Sequence, residues 1–401
     1  MDAEGIARLM RTFGPAWLVM IADVDVASIV TGLQDGASWG YRMVFVMLIL
    51  TVPLFFLQDA AGRLGTVSGM CLGRAIREKH GGRSVAIAAM PMALADFMTY
   101  VVEFAGVALG ARLLGAPPLL AVAAAFPAFL AVVATERYRT AEAVLLPVSF
   151  MLVAAVVASV AFFPVDVRSL LLEGLSPVQP YADPGYGFLF AASIGAVIMP
   201  WMLFFHSGAD ARKGLGKSDL PAERLETLIG AVVSEILMSI TVIDGYGLRI
   251  VDGGSAVSIT PSEIAGLLRP LGPASSAVMG VGFVAAGFLA LAVAAMASGW
   301  GFLSALGSSS RRVGFLYYAV MGAAAAAVAV ASTDIVALML DLMAAYTLVI
   351  LPPLYYLGRL VSDPSIMRGH PLAAWERAIY WAMVAVVFGG GLCGIILSIV
   401  R

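Results

Sequence analysis

Charge is what this sequence is short of. Only 12% of its 401 residues are Asp, Glu, Lys or Arg, against about 25% in a soluble domain. That deficit excludes a sizeable soluble domain. No basic stretch is interleaved with aromatics, so nucleic acid is not an expected partner, and the formal net charge of −2 adds nothing to the question. Cysteine is nearly missing: Cys71 and Cys393 lie far apart without CxxC spacing, read as free thiols, and carry no redox or zinc signal. The first residues, with Arg8 and Arg11 ahead of an apolar run, have the outline of a signal peptide. They lack a small-residue cleavage site and hold two aspartates in the apolar stretch, so they read as a first membrane span.

What fills the chain is apolar sequence: 61% of residues are hydrophobic and the mean hydropathy is +0.95. The runs approach the length that crosses a bilayer as a helix, at roughly 14–33, 43–58, 85–114, 117–134, 141–163, 186–206, 226–248, 274–305, 313–331, 335–358 and 374–400. The expected fold is therefore an all-α polytopic membrane protein of eleven helices, one domain over the whole chain. Basic residues test the threading. Of the 24 Lys and Arg, 18 fall in the N-terminus and the loops on its side, and 6 on the other side. Such asymmetry follows the positive-inside rule and places the N-terminus in the cytoplasm and the C-terminus outside, in a prokaryote-type plasma (inner) membrane. The outward loops at roughly 164–185 and 249–273 are rich in Pro, Gly, Asp and Ser, as turns require. Gly322 to Ala327 and Gly389 to Gly391 supply the small residues that let membrane helices approach closely.

Against that background, Asp23-Val24-Asp25 stands out in the first span. A charged side chain near the bilayer centre costs roughly 2.5–3.5 kcal/mol on insertion scales, so two acids together need a cation, a proton relay or an ion-pair partner. No Lys or Arg lies within the apolar cores. The sixth span carries Pro200 five residues after Gly195; proline removes a backbone hydrogen bond and clashes one turn back, so a kink or break is expected near Ala196. In lipid, a broken helix persists only where its freed groups are buried in protein or line a cavity. Two disrupted spans separated by four others permit two inverted five-span repeats, at approximately 14–163 and 186–358, with 374–400 as an additional helix.

Several segments resemble the Nramp family of metal-ion transporters. They are Gly14-Pro15-Ala16, the Asp25 span with Gln34-Asp35-Gly36-Ala37 and Gly40-Tyr41, Gln58-Asp59-Ala60-Ala61-Gly62-Arg63-Leu64-Gly65 with Ser68-Gly69, and Ile194 to Pro200 with His206-Ser207. The resemblance implies a leucine-transporter-like fold with a five-plus-five inverted repeat, moving divalent transition metals, usually with protons. It implies metal ligation by Asp25, by the Ala196 carbonyl and by Met199. The family's Asp-Pro-Gly-Asn reads Asp25-Val26-Ala27-Ser28 here, so Ser28 stands where an asparagine ligand is expected. The histidine after the Met-Pro pair is Trp201, the second histidine matches His206, the proton-accepting aspartate of span three falls on Tyr100, and its neighbouring glutamate is Glu103. The glutamine of span ten aligns with Asp341.

Read by their chemistry, carboxylates suit hard divalent ions and a thioether adds preference for softer ones, so Met199 favours manganese or iron over magnesium. On an intact helix Asp23 points about 160° away from Asp25, so both reach one ion only if the backbone unwinds. Asp23 is otherwise a proton carrier, because burial and a neighbouring like charge favour the neutral form of a carboxyl. Glu103, Glu235 and His206 are further proton-relay candidates, although His206, at the cytoplasmic end of its span, reads as a solvated histidine. Asp341 is a candidate third acid. The expected function is a secondary transporter of divalent metal ions (Mn²⁺/Fe²⁺-type, or Mg²⁺), with altered or absent proton symport and neither cofactor nor obligatory protein partner. The alternatives are an Nramp-related Mg²⁺ transporter without proton coupling, and the same scaffold carrying a non-metal small solute. An intramembrane aspartyl protease needs acids on two facing helices, whereas Asp23 and Asp25 share one and Asp244 sits near a membrane surface by its position in sequence.

Overall fold

The computed structural model describes residues 11–135, 137–251, 272–331 and 336–399. Every regular element in them is a helix. In chain order these are α1 (Pro15–Ala22), α2 (Val26–Trp39), α3 (Val44–Ser68), α4 (Leu72–His80), α5 (Gly82–Leu113), α6 (Pro118–Val133), α7 (Tyr138–Ser159), α8 (Val167–Gly174), α9 (Pro184–Val197), α10 (Pro200–Lys213), α11 (Leu220–Val251), α12 (Pro273–Leu306), α13 (Arg311–Ala331), α14 (Val336–Val349), α15 (Leu351–Val361) and α16 (Ala374–Ile399). Short 3₁₀ turns join some of them, including Gly40–Met43 between α2 and α3.

Nine stretches among the described residues are long and apolar enough to cross a membrane, against the eleven expected. Two places account for the difference. The Gly40–Met43 turn leaves Val26–Ser68 as one helical stretch, and α6 has only 16 residues. The expected outward loop near 249–273 lies mostly outside the described residues.

The bundle has an inner and an outer set of helices. The apolar window of Pro184–Lys213 is 89% buried inside the protein, whereas that of Ala374–Ile399 is 22% buried. Inside, α12 packs along α5, α11 along α2, and α9 against α14, while the outer α16 lies against α9. Outside, Leu94, Leu119, Leu120, Phe150 and Ile399 are exposed, and at membrane depth such side chains belong against lipid. Local chemistry sets the ends of the central helices. Asp183 accepts from the amides of Gly185 (2.8 Å) and Tyr186 (3.3 Å) with Pro184 opening α9, while Gly214, in the left-handed region, closes α10.

Candidate metal centre

Two of the innermost helical spans are broken, and the breaks face each other. In the first, α1 ends at Ala22 and α2 begins at Val26, leaving Asp23-Val24-Asp25 between them. Asp25 is extended (φ −81°, ψ 179°), and its Oδ1 accepts the Ser28 amide at 2.7 Å. The unfavourable acid-rich run thus becomes a helix cap. The carboxylate that interrupts one helix starts the next, and the amide dipoles of α2 aim their positive end at it.

In the second span, α9 ends at Val197 and α10 starts at Pro200, with Ile198 leaving the helical conformation and Met199 extended between them. The break falls two residues beyond the expected Ala196. Pro200 takes the first helical position, where its missing N–H costs nothing. The group freed by that missing N–H is the carbonyl of Ala196, one turn back. The Ser28 hydroxyl donates to it at 3.0 Å and so ties the two breaks together.

Around this link every named group is wholly buried: Asp23, Asp25, Ser28, Ala196, Met199, Trp201, Glu103 and Glu235 are 0% exposed. Oδ2 of Asp25 and both carboxylate oxygens of Asp23 have no hydrogen-bond partner. Among the described residues no Lys or Arg forms an ion pair with Asp23, Asp25, Glu103 or Glu235. Glu103 of α5 accepts the Val26 amide at 3.3 Å, within electrostatic reach of Asp25. Asp23 lies within electrostatic reach of Glu235 on α11 and of Asp25. The site therefore concentrates unneutralised acid in a place closed off from the protein surface. That arrangement holds protons or a cation.

The thioether of Met199 is present but engaged. The indole N–H of Trp201 donates to Met199 Sδ at 3.1 Å. The two breaks thus hold one unpartnered carboxylate oxygen on Asp25, a sulfur that already accepts an indole N–H, and a carbonyl that accepts the Ser28 hydroxyl.

The remaining candidates divide. Asp341 is exposed on α14, whereas the backbone of Met343, two residues on, lies so close to Gly195 that a methyl group there would collide with it. Two residues turn a helix by about 200°, so the acid points away from the broken spans. The structure does not bring it together with Asp23 and Asp25. His206 is also not where the sequence reading put it. It is 0% exposed, with Nδ1 3.2 Å from Gln58 Oε1 and Nε2 3.1 Å from Glu223 Oε1. Its burial comes from α3, where Gly62 leaves room for the imidazole. Tyr100 is buried with its hydroxyl unpartnered. Asp244, expected near a surface, is buried and accepts from the Ser159 hydroxyl.

Sequence reasoning missed Asp96. It is buried on α5 and accepts from the Tyr346 hydroxyl at 3.0 Å, which itself bonds Thr99. The signal was available: Asp96, Tyr100 and Glu103 recur at helical spacing and so share one face of α5.

A family model described as natural resistance-associated macrophage protein-like (Nramp) matches residues 16–397. The divalent metal cation transporter MntH of Bacillus subtilis is 26% identical over 296 residues, 71% of this chain and 68% of that one. The crystal structure of the Eremococcus coleocola manganese transporter superposes with a TM-score of 0.79 at 18% identity, covering 98% of this chain and 88% of that one. MhsT, crystallised with L-phenylalanine, gives a TM-score of 0.64 at 13% identity over 99% of both chains. The all-helical, leucine-transporter-like fold expected from the sequence is the fold found.

Proposed function

The chain belongs to the Nramp family of divalent metal cation transporters, and on that premise we propose that it carries a divalent transition-metal ion by alternating access. Asp25 is the principal ligand, Ala196 offers its freed carbonyl, Met199 its sulfur, and Ser28 a hydroxyl. One observation supports this above the others: a buried carboxylate with an unpartnered oxygen sits at one helix break, tied through Ser28 to the carbonyl freed at the other. In the same reading the N-terminus is cytoplasmic, the C-terminus is outside the plasma membrane, eleven spans are crossed, and two five-span repeats rearrange about the breaks. Protons move through Asp23 with Glu235, or through Glu103 toward Asp96, because Tyr100 and Trp201 replace the groups the family uses.

Uptake into proteoliposomes with Mn²⁺, Mg²⁺ and Ca²⁺, with internal pH followed at the same time, tests the assignment. Asp25→Ala abolishes uptake; unchanged uptake refutes the ligand role. Met199→Ala shifts preference from Mn²⁺ toward Mg²⁺ or Ca²⁺, and an unaltered ratio shows that the sulfur makes no contact with the ion.

A second reading, a Mg²⁺ carrier without proton coupling, is favoured by the Trp201 indole. It occupies Met199 Sδ and leaves the centre dominated by oxygen, which suits a hard ion. Mg²⁺ uptake with constant internal pH selects it. Failure of a well-folded sample to bind any of the three ions selects a non-metal solute instead.

A further inference from the structure

About 10 Å along α10 from Met199, at a rise of 1.5 Å per residue, lies a second set of buried groups. His206 Nε2 stands 3.1 Å from Glu223 Oε1 and 3.9 Å from Asp210 Oδ2, with the three side chains at most 1% exposed. One ligand atom from each residue can be chosen so that all lie within 4.8 Å of one another. Asp210 Oδ1, Glu223 Oε2 and Gln58 Nε2 have no hydrogen-bond partner.

The surroundings hold these groups in place without neutralising them. Thr66 donates to Asp210 Oδ2 at 3.0 Å and Thr227 to Glu223 Oε1 at 2.8 Å. The neighbouring cations pair directly with other acids: Lys213, which also lies within electrostatic reach of Asp210, binds Glu142 at 2.5 Å, and Arg224 binds Asp59 at 3.2 Å. Helix α3 contributes a hollow instead of a charge. A methyl group at Gly62 would run into Glu223 Oε1 and come within 2.8 Å of His206 Nε2. Gln58 faces the other ring nitrogen, and a hydrogen bond at Nδ1 is the usual way a protein aims the opposite nitrogen at a metal.

We propose that His206, Asp210 and Glu223 form a second divalent-cation site, distinct from the Asp25 centre. One imidazole and two carboxylates suit Mn²⁺, Fe²⁺, Co²⁺ or Zn²⁺, and discriminate against Mg²⁺, which prefers oxygen. Ligand atoms of one bound ion stand about 3–3.5 Å apart at metal–ligand lengths near 2.1 Å. The observed spacing closes to that with sub-ångström shifts of side chains. Its position, two turns beyond Met199 on the same helix, makes it a stopping place for an ion between the centre and the basic end of the bundle.

The Asp25 centre contains no histidine, so nitrogen coupling separates the two sites. The full chain in lipid nanodiscs, freed of metal by chelation, is titrated with Mn²⁺ alone, counted by equilibrium dialysis and examined by pulsed EPR for ¹⁴N imidazole coupling. Wild type is expected to bind two equivalents, one of them coupled. His206→Gln loses the coupled ion and keeps the other, and Asp25→Ala does the reverse. Gln58→Leu, which leaves all three ligands in place, weakens the coupled ion roughly 10- to 100-fold. Absence of imidazole coupling in wild type, or coupling that survives His206→Gln, overturns the second site. Binding of the coupled ion alone overturns the Asp25 assignment and leaves the second site standing.

Discussion

Trp201 shows how one side chain changes what a neighbour can do. A thioether that already accepts an indole N–H has less electron density to offer a metal. Trp201→Phe removes that donor and keeps an aromatic ring in the buried position. Because a net hydrogen bond contributes on the order of 1 kcal/mol, the variant binds the thiophilic ion Cd²⁺ up to about fivefold more tightly, with Mg²⁺ binding unchanged. Calorimetry on the two ions checks this. At this scale the sequence was legible where chemistry is local. Asp25 declared itself by being charged in an apolar run, and Trp201 by being unable to accept a proton. His206 was misread because its burial depends on Gly62, a residue far away in sequence on α3. Asp96 was missed because the resemblance assigns the proton-accepting position of span three to Tyr100, one turn away.

Among elements, the broken sixth span is the most instructive. Pro200 announced a disruption, and the exact site followed from which residue takes the first helical position and which carbonyl loses its donor. Pro200→Ala restores an N–H one turn after Ala196, allowing the helix to close on itself and displace the Ser28 hydroxyl. The expected result is a folded protein, by thermal melting, whose Mn²⁺ uptake falls at least about tenfold; uptake at the wild-type rate would show that the break does not depend on the missing donor. The break in span one carried a weaker signal, since an acid acting as a helix cap looks the same in sequence as an acid inside a helix. The limits of α2 and α3 were harder to read: the polar stretch from Gln34 to Arg42 looks like a loop in sequence, yet it forms the end of α2 and a 3₁₀ turn that runs straight into α3.

For the molecule as a whole, the distribution of basic residues gave an orientation that helix length alone does not. Cysteine labelling in a background lacking Cys71 and Cys393 decides it. Ser365→Cys reacts with an impermeant maleimide only from the cytoplasmic face and Ser398→Cys only from the outer face; labelling of both from one face requires an even number of crossings between them and refutes the threading. The basic end also carries an acid-sensitive clasp. The Lys79 ammonium, 2.7 Å from Asp363, and the Ser365 hydroxyl hold the Asp363 carboxyl well below the usual carboxylate range. The folded state thus binds this proton more weakly than the unfolded chain does. Its contribution to stability is present at neutral pH and disappears as pH falls through the depressed folded value. Asp363→Asn accordingly melts lower than wild type at pH 7, and the gap narrows only below about pH 4.

The bond from Ser28 to the Ala196 carbonyl has one more consequence. Ser28 sits on α2 and Ala196 on the last turn of α9, so this single bond is a stitch between the two interrupted spans: a shift of one broken helix pulls on the other.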